Sequence, residues 1–433
     1  MLSSHISALA SELIGWTRIS ATTVAATLLI LGIASGASAE DSTSPNISLD
    51  TKGLRISSAD GEFSMRIGGR LHADGTWAID DPMPPFEITD GTELRRARID
   101  LHGSIYRDWK YFAEVDFADN GTSVKDFWVA YTGIDGWTIT AGHQKQPYSL
   151  AIEMSSNDLP FIERGIDYDV ITPFVDRAIG IRFDHNTDNL FFAAGFYGDA
   201  VGPNTSGVSN QTNDEGWGTA GKLVYAPIIR EDKVIHLGFR SAFRSPRDNN
   251  QSVRMRDETS HMSNLSLIDT GNIAGVNDAL LFGPEAAIAV GPFSLVGEYN
   301  RIRINRRNSG DLHFQGGHVA ASYSLTGESR AKAYTIRSGE FKRLKPAENF
   351  SLSGPGCGAV ELSARYAYQD LSDGDISGGR EQVVSVGLNW YPNTNIRFLA
   401  NWNRILDTKS TGAAPVPDGE GIDSFAARVQ IVF

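Results

Sequence analysis

From Glu62 onward the chain alternates apolar and polar residues in segments of roughly ten, the period of a strand with two unlike faces. In 63–72 one parity holds Phe63, Met65, Ile67, Gly69 and Leu71, and the other holds Ser64, Arg66, Gly68, Arg70 and His72. The same split runs through 109–117 and 361–368, and through the final segment, where Phe425, Ala427, Val429, Ile431 and Phe433 alternate with Ala426, Arg428, Gln430 and Val432. Strands are expected near 62–73, 93–105, 109–118, 124–133, 136–144, 178–185, 190–199, 216–227, 232–243, 279–291, 293–304, 311–325, 359–371, 381–391, 395–407 and 424–433. About sixteen is an even number within the range of transmembrane barrels.

The connections alternate as well. Tight turns at Arg107-Asp108, Ile134-Asp135, Gly291-Pro292 and Pro392-Asn393-Thr394 are interleaved with long stretches near 74–92, 145–177, 200–215, 244–278, 326–358 and 408–423. Short turns at one end and long loops at the other are the asymmetry of an outer-membrane barrel, with turns in the periplasm and loops outside. A soluble sandwich shares the alternation but rarely needs several loops beyond about 12–15 residues. In a barrel the faces invert: apolar residues meet lipid and polar residues line water. Trp109, Tyr131, Trp137, Tyr299, Tyr323, Trp390, Tyr391 and Trp402 fall near strand ends on or beside the apolar face, where interfacial girdles sit. The expected fold is therefore all-β, a sixteen-stranded antiparallel transmembrane barrel over 62–433, preceded by an N-terminal periplasmic segment at 40–61.

Composition refines this picture. An apolar run at 20–33 followed by Ala37-Ser38-Ala39 reads as a cleavable export signal covering 1–39, with the mature chain beginning at Glu40. No interior segment approaches 18 consecutive apolar residues, so helical spans are disfavoured. Cys357 is the single cysteine, so no intrachain disulfide forms. The histidines are scattered over separate strands without metal-ligand spacing, and no metal or other cofactor is expected. Asp370, Asp373 and Asp375 could hold calcium but read more simply as a solvated loop. A formal charge of −13 argues against nucleic acid. No Ser/His/Asp arrangement supports an enzyme. A secreted soluble β-protein is the other alternative.

The stretches "FSMRIGGRLHADG", "ELRRARIDLHGSIYRDWKYFAEVDFADNGTSVKDFWVAY", "ITAGHQKQPYSLAIEMSSNDLPFIERG", "GHVAASYSLTGESRAK", "AVELSARYAYQDLSDG" and "VVSVGLNWYPNTNIRFLANWNRI" resemble the phosphate-selective porins of the O/P type, in the family's order across roughly 62–433. The resemblance implies a trimer in a Gram-negative outer membrane, with a long third loop, here about 145–177, folded into the lumen. It also implies that the terminal Phe433 is read by the barrel-assembly machinery. The expected function is passive diffusion of small anions, with phosphate or polyphosphate as the candidate solutes. The alternative is a general or differently selective porin of the same fold.

Guanidinium suits phosphate, being permanently charged and able to donate in a fork. By parity the lumen receives Arg66, Arg70, Arg96, Arg98, Arg182, Arg240, Arg365, Arg397 and Arg428, with Lys110 and Lys222. In "TELRRARIDLHG" Arg95 falls on the lipid parity; it either snorkels at the rim or marks a local break, and the resemblance favours the break. Lys145 and Arg164 are the candidates at the inward loop. Selective members of the family bind phosphate there through lysines, yet this chain has none between Lys145 and Lys222. The loop instead carries Glu153, Asp158, Glu163, Asp167, Asp169 and Asp176, which would repel an anion unless they pair with the wall. The competing reading of the arginines is structural: pairing with Glu93, Asp100, Glu114, Asp116 and Glu361 to brace the wall.

Overall fold

The computed structural model describes residues 44–80, 89–199, 215–246, 252–258, 261–262, 266–409 and 421–433. The expected export signal lies outside the described residues. Residues 46–433 form one compact unit.

Alternating β-branched, aromatic and polar residues build long strands that pair with their neighbours in sequence. β1 (Asn46–Asp50) and β2 (Gly53–Ser57) form a hairpin. The ring then runs β3 (Ser64–Asp80), β4 (Gly91–Ile105), β5 (Trp109–Asp116), β6 (Ser123–Tyr131), β7 (Trp137–Lys145), β8 (Arg177–Asn186), β9 (Leu190–Tyr197), β10 (Trp217–Ile229) and β11 (Lys233–Ser245). It continues through β12 (Val276–Val290), β13 (Phe293–Arg306) and β14 (Leu312–Ser324). After the two-residue strands β15 (Tyr334–Thr335) and β16 (Glu340–Phe341), it finishes with β17 (Ala359–Asp373), β18 (Ile376–Tyr391), β19 (Ile396–Lys409) and β20 (Ile422–Val432). The last strand pairs antiparallel with β3, Ile431 opposite Leu71, so β3–β14 and β17–β20 close a sixteen-stranded barrel. The β1–β2 hairpin joins the ring at the foot of β3, with Arg55 opposite Arg66.

The faces are inverted relative to a soluble protein. Phe239 is 55% exposed, whereas the next residue, Arg240, is fully buried. Ile99, Phe127, Ile179, Val319 and Leu388 also face out, and Lys222, Glu285, Glu381, Arg397 and Arg428 are enclosed. Trp109, Trp137 and Tyr323 are exposed at strand ends as the girdle pattern anticipates, whereas Tyr299 is exposed midway along β13. Tyr391 departs from it: the ring is buried and its hydroxyl donates to Glu361 Oε2 at 3.0 Å.

Two register breaks re-aim side chains. Between β3 and β4, His72 faces Arg96 and Ala73 faces Leu94, leaving Arg95 as the extra residue. Between β5 and β6, Ala113 faces Phe127 and Val115 faces Val124, so Glu114 is opposed by both Lys125 and Asp126. Such bulges turn one more residue toward the same face than strict alternation permits. Close approach also dictates Gly103, where an added Cβ would lie 1.8 Å from the Ser64 carbonyl oxygen across the β3–β4 pair.

The stretch at 325–358 corrects the sequence-based loop assignment. Strands alternate in direction, so the β14–β17 connection emerges at the end that carries the short turns. Its contacts agree: Arg343 donates to Thr394 O in the β18–β19 turn at 2.9 Å, and Lys332 lies 3.8 Å from Glu231 in the β10–β11 turn. From that end it reaches polar-face side chains: Tyr334 Oη lies 2.9 Å from His236 Nδ1, and Arg330 makes a fork to Glu361 at 2.5 and 2.8 Å. Length marks a long connection in a sequence, but only counted strands say from which rim it leaves.

Candidate conduction passage

Segment 146–176 contains two single-turn helices, α1 (Leu150–Glu153) and α2 (Ile166–Asp169). Ser149 caps α1 by accepting the Ile152 N–H at 3.0 Å. The segment is tied to polar-face side chains on opposite parts of the ring. The Leu150 N–H donates to Glu285 at 2.9 Å and the Ala151 N–H to Glu298 at 2.8 Å, both on the β12–β13 side. Toward the β19–β20 side, Arg397 donates to Leu159 O and Arg428 to Ile162 O, each at 2.7 Å. One flank is dry: Ile152, Val170, Ile171, Phe174 and Val175 pack with Ala242, Leu281, Ile302 and Phe314. Burying each of the larger side chains stabilises by about 1.5–3 kcal/mol, enough to hold the segment in place. A second apolar cluster joins Leu150, Met154 and Leu159 to Phe341 of the 325–358 stretch.

The other flank borders a cavity of ≈ 430 Å³ beside β3–β8 and β17–β20. Nine cationic side chains line it: Arg70, Arg95, Arg96, Arg98, Lys125, Lys145, Arg164, Arg177 and Arg365. Nine carboxylates share the lining: Asp74, Glu93, Glu114, Asp126, Glu163, Asp169, Asp176, Glu258 and Glu381. The formal balance is therefore neutral, and pairing decides which charges a solute meets.

Glu163 is the hub. Its carboxylate accepts from Arg95 at 3.1 Å, from Arg96 at 3.0 and 2.9 Å and from Arg428 at 2.8 Å, while its carbonyl accepts from Arg365 at 3.0 Å. Burial alone would raise its pKa, but Arg96, Arg95 and Arg428 hold it well below the usual carboxylate range. The other acids of the segment mostly pair too. Glu153 meets Arg182 at 3.0 Å, Asp167 meets His318 at 2.9 Å, and Asp176 lies 3.8 Å from Arg177. Asp158 lies 3.7 Å from Arg343 and 3.9 Å from Lys342. Asp169 is the exception, its carboxylate accepting the Glu258 N–H at 3.3 Å and meeting no cation among the described residues within ion-pair distance. Burial first, then Glu258 and Asp257, raise its pKa well above the carboxylate range.

The candidate residues separate into three groups. Arg70, Arg95, Arg96, Arg98, Arg164 and Arg365 border the cavity, as does Lys145. Arg70 and Arg98 share Glu114 at 2.5 and 2.9 Å, and Arg98 also takes Asp116 at 2.7 Å. Lys145 and Arg164 are committed to carbonyls: Lys145 donates to Ile152, Glu153 and Met154, and Arg164 to Ala151 and Met154. Arg182, Arg240, Arg66 and Lys110 are not in this lining. Arg182 ends on Glu153 and Asp184, and Arg240 is sealed among Glu285, Glu298 and Asn300. Arg66 faces Asp50 at 3.3 Å and borders a second cavity of ≈ 440 Å³ with Lys52, Arg343 and Arg70. Lys110 donates to the Arg107 carbonyl beside the β4–β5 turn. Arg70 borders both cavities and so lies where they meet. Lys125 and Arg177 were missed by parity. In "SVKDFWVAY" a lysine shares parity with Phe127 and Val129, the same out-of-phase charge that marks Arg95. The described residues hold no cluster able to ligate a metal: Asp370 pairs with Arg380 and Asp375 with Arg306.

A closed sixteen-strand ring with lipid-compatible residues outside and charge within defines a porin of the outer membrane, a channel rather than an enzyme. The chain belongs to the phosphate-selective porin O and P family, whose model matches residues 66–433. It is 27% identical to Porin O of Pseudomonas aeruginosa over 426 residues, 90% of this chain and 93% of that protein. Among solved structures it shares its fold with the anion-selective porin from Comamonas acidovorans (TM-score 0.55, 13% identity, 86% and 100% of the two chains). It shares it also with OmpT of Vibrio cholerae (TM-score 0.53, 11% identity, 86% and 98%).

Proposed function

We propose that this porin passes small anions, phosphate among them, through an arginine-lined passage beside segment 146–176, which narrows the lumen. The observation that carries this reading is the β4 bulge, which sets Arg95 next to Arg96 on a cavity already bordered by Arg70, Arg98 and Arg365. Pairing of the loop acids with wall cations removes the main objection to it. The family description and the selectivity named for the Comamonas porin are consistent with it. Reversal potentials in planar bilayers under a salt gradient test the reading. Anion preference, with chloride current blocked by added phosphate, is expected; cation preference refutes it.

The equal count of nine cations and nine carboxylates favours a second reading, a weakly selective porin of the same architecture. A reversal potential near zero would select it. Residues 1–39 are proposed as a cleaved export signal, which N-terminal sequencing of the outer-membrane protein tests. A homotrimer is proposed from the family resemblance and is read from the mass of the detergent-extracted protein. Recognition of the C-terminal strand by the assembly machinery is tested by deleting Phe433 and measuring insertion.

A further inference from the structure

We propose that Lys125 is the specificity-determining cation of the passage, the charge that a permeating anion meets uncompensated; this rests on the anion-porin reading. Strict alternation would aim Lys125 at lipid with Phe127 and Val129. The bulge opposite Glu114 turns it and Asp126 inward together, and its half-buried side chain borders the cavity.

What distinguishes Lys125 is what surrounds it. Asp126 is held by Arg177, with bonds of 3.0 and 2.8 Å. Asp116 is held by Arg98 at 2.7 Å, and Glu114 is divided between Arg98 and Arg70. The neighbouring acids are therefore committed to guanidinium groups. Among the described residues lining the cavity, Lys125 is the one cation whose side chain makes no hydrogen bond and no ion pair within 4.0 Å. Arg365 comes nearest to that condition, but its fork is occupied by the Glu163 carbonyl and the Ser385 hydroxyl. An ammonium offers three donors on a flexible stem and stays strongly hydrated. It can attract an anion and release it, the balance that conduction needs. The other cations shape the wall through the bonds that occupy them, and Lys125 keeps its donors free for the anion.

The experiment is a set of bilayer recordings on full-length protein carrying Lys125→Gln, Lys125→Glu or Lys125→Arg. Lys125→Gln should lower anion permeability about fourfold and raise cation permeability about as much, the effect of one unit charge at ~5 Å in water, so the anion-to-cation ratio should fall by about an order of magnitude. Lys125→Glu should lower it further, and Lys125→Arg should keep it. An unchanged ratio in Lys125→Gln, with wild type anion-selective, overturns the proposal while leaving the anion-porin reading intact. Equal losses in Lys125→Gln and Lys125→Arg assign the residue to bulge geometry and also overturn it. A cation-selective wild type removes both readings. Should the variants fail to insert, a Lys125→Cys, Cys357→Ser protein is modified in the open channel. A cationic thiol reagent should then raise the ratio and an anionic one lower it; identical effects of the two reagents refute the charge argument.

Discussion

Replacing Glu163 by Gln separates the two things this carboxylate does. It neutralises part of the arginine cluster, and it anchors segment 146–176 through four bonds from Arg95, Arg96 and Arg428. Charge-assisted bonds contribute about 1.5–3 kcal/mol each when buried, but the Glu163 side chain is 36% exposed, so solvent screens them. The amide keeps one acceptor oxygen and Arg428 keeps Asp74 at 2.6 Å, so a net loss of about 2–3 kcal/mol is expected. The passage meanwhile gains one positive charge. At ~5 Å and a dielectric constant near 80 that is worth about 0.8 kcal/mol, or about fourfold in local anion occupancy. Reversal potentials should therefore shift toward greater anion preference while the unfolding midpoint in detergent falls. Glu163→Asp keeps the charge with poorer reach, so it should lose stability without the selectivity shift. Unchanged or more cation-selective currents in Glu163→Gln would refute the view that this carboxylate masks the arginines.

Three further outcomes follow from individual contacts. Asp169 has a raised pKa, so it is neutral below that value and ionises as pH rises through it. Anion preference should then fall with rising pH and stay flat in Asp169→Asn, while Glu163, with its lowered pKa, keeps its anchoring until strongly acid solution. Glu285 is wholly buried and holds Lys222 at 2.7 Å, His236 at 3.0 Å and Arg240 at 3.0 Å, so Glu285→Gln should cost about 3–5 kcal/mol, seen as a lower temperature of heat-modified gel migration. Gly103→Ala would put a methyl 1.8 Å from the Ser64 oxygen, so β3 and β4 must part locally; a loss of about 1–3 kcal/mol is expected in urea unfolding.

Most of the architecture is written in local alternation. A strand in a barrel has one face in lipid and one in the lumen, so period-two patterning alone located the sixteen ring strands, their polarity and Arg70, Arg96, Arg98 and Arg365 on the inner face. The same pattern registered Arg95 as out of phase, and such a charge on the lipid parity is itself the signature of a bulge. Lys125 carries that signature too, hidden by its single occurrence beside Asp126.

Tertiary structure alone decided which charges cancel. Ion pairing depends on contacts between residues far apart in sequence, such as Glu163 with Arg428 and Asp158 with Arg343, and no local period encodes these. It also decided which side chains the 325–358 stretch reaches from the rim of short turns, since Tyr334, Arg330 and Arg343 find partners far away in sequence. The sequence by itself determined a barrel with a charged interior, because each residue's face follows from its neighbours. Three-dimensional pairing determined that the loop acids are mostly bound and that Lys125 is not, because neutralisation is a property of distance.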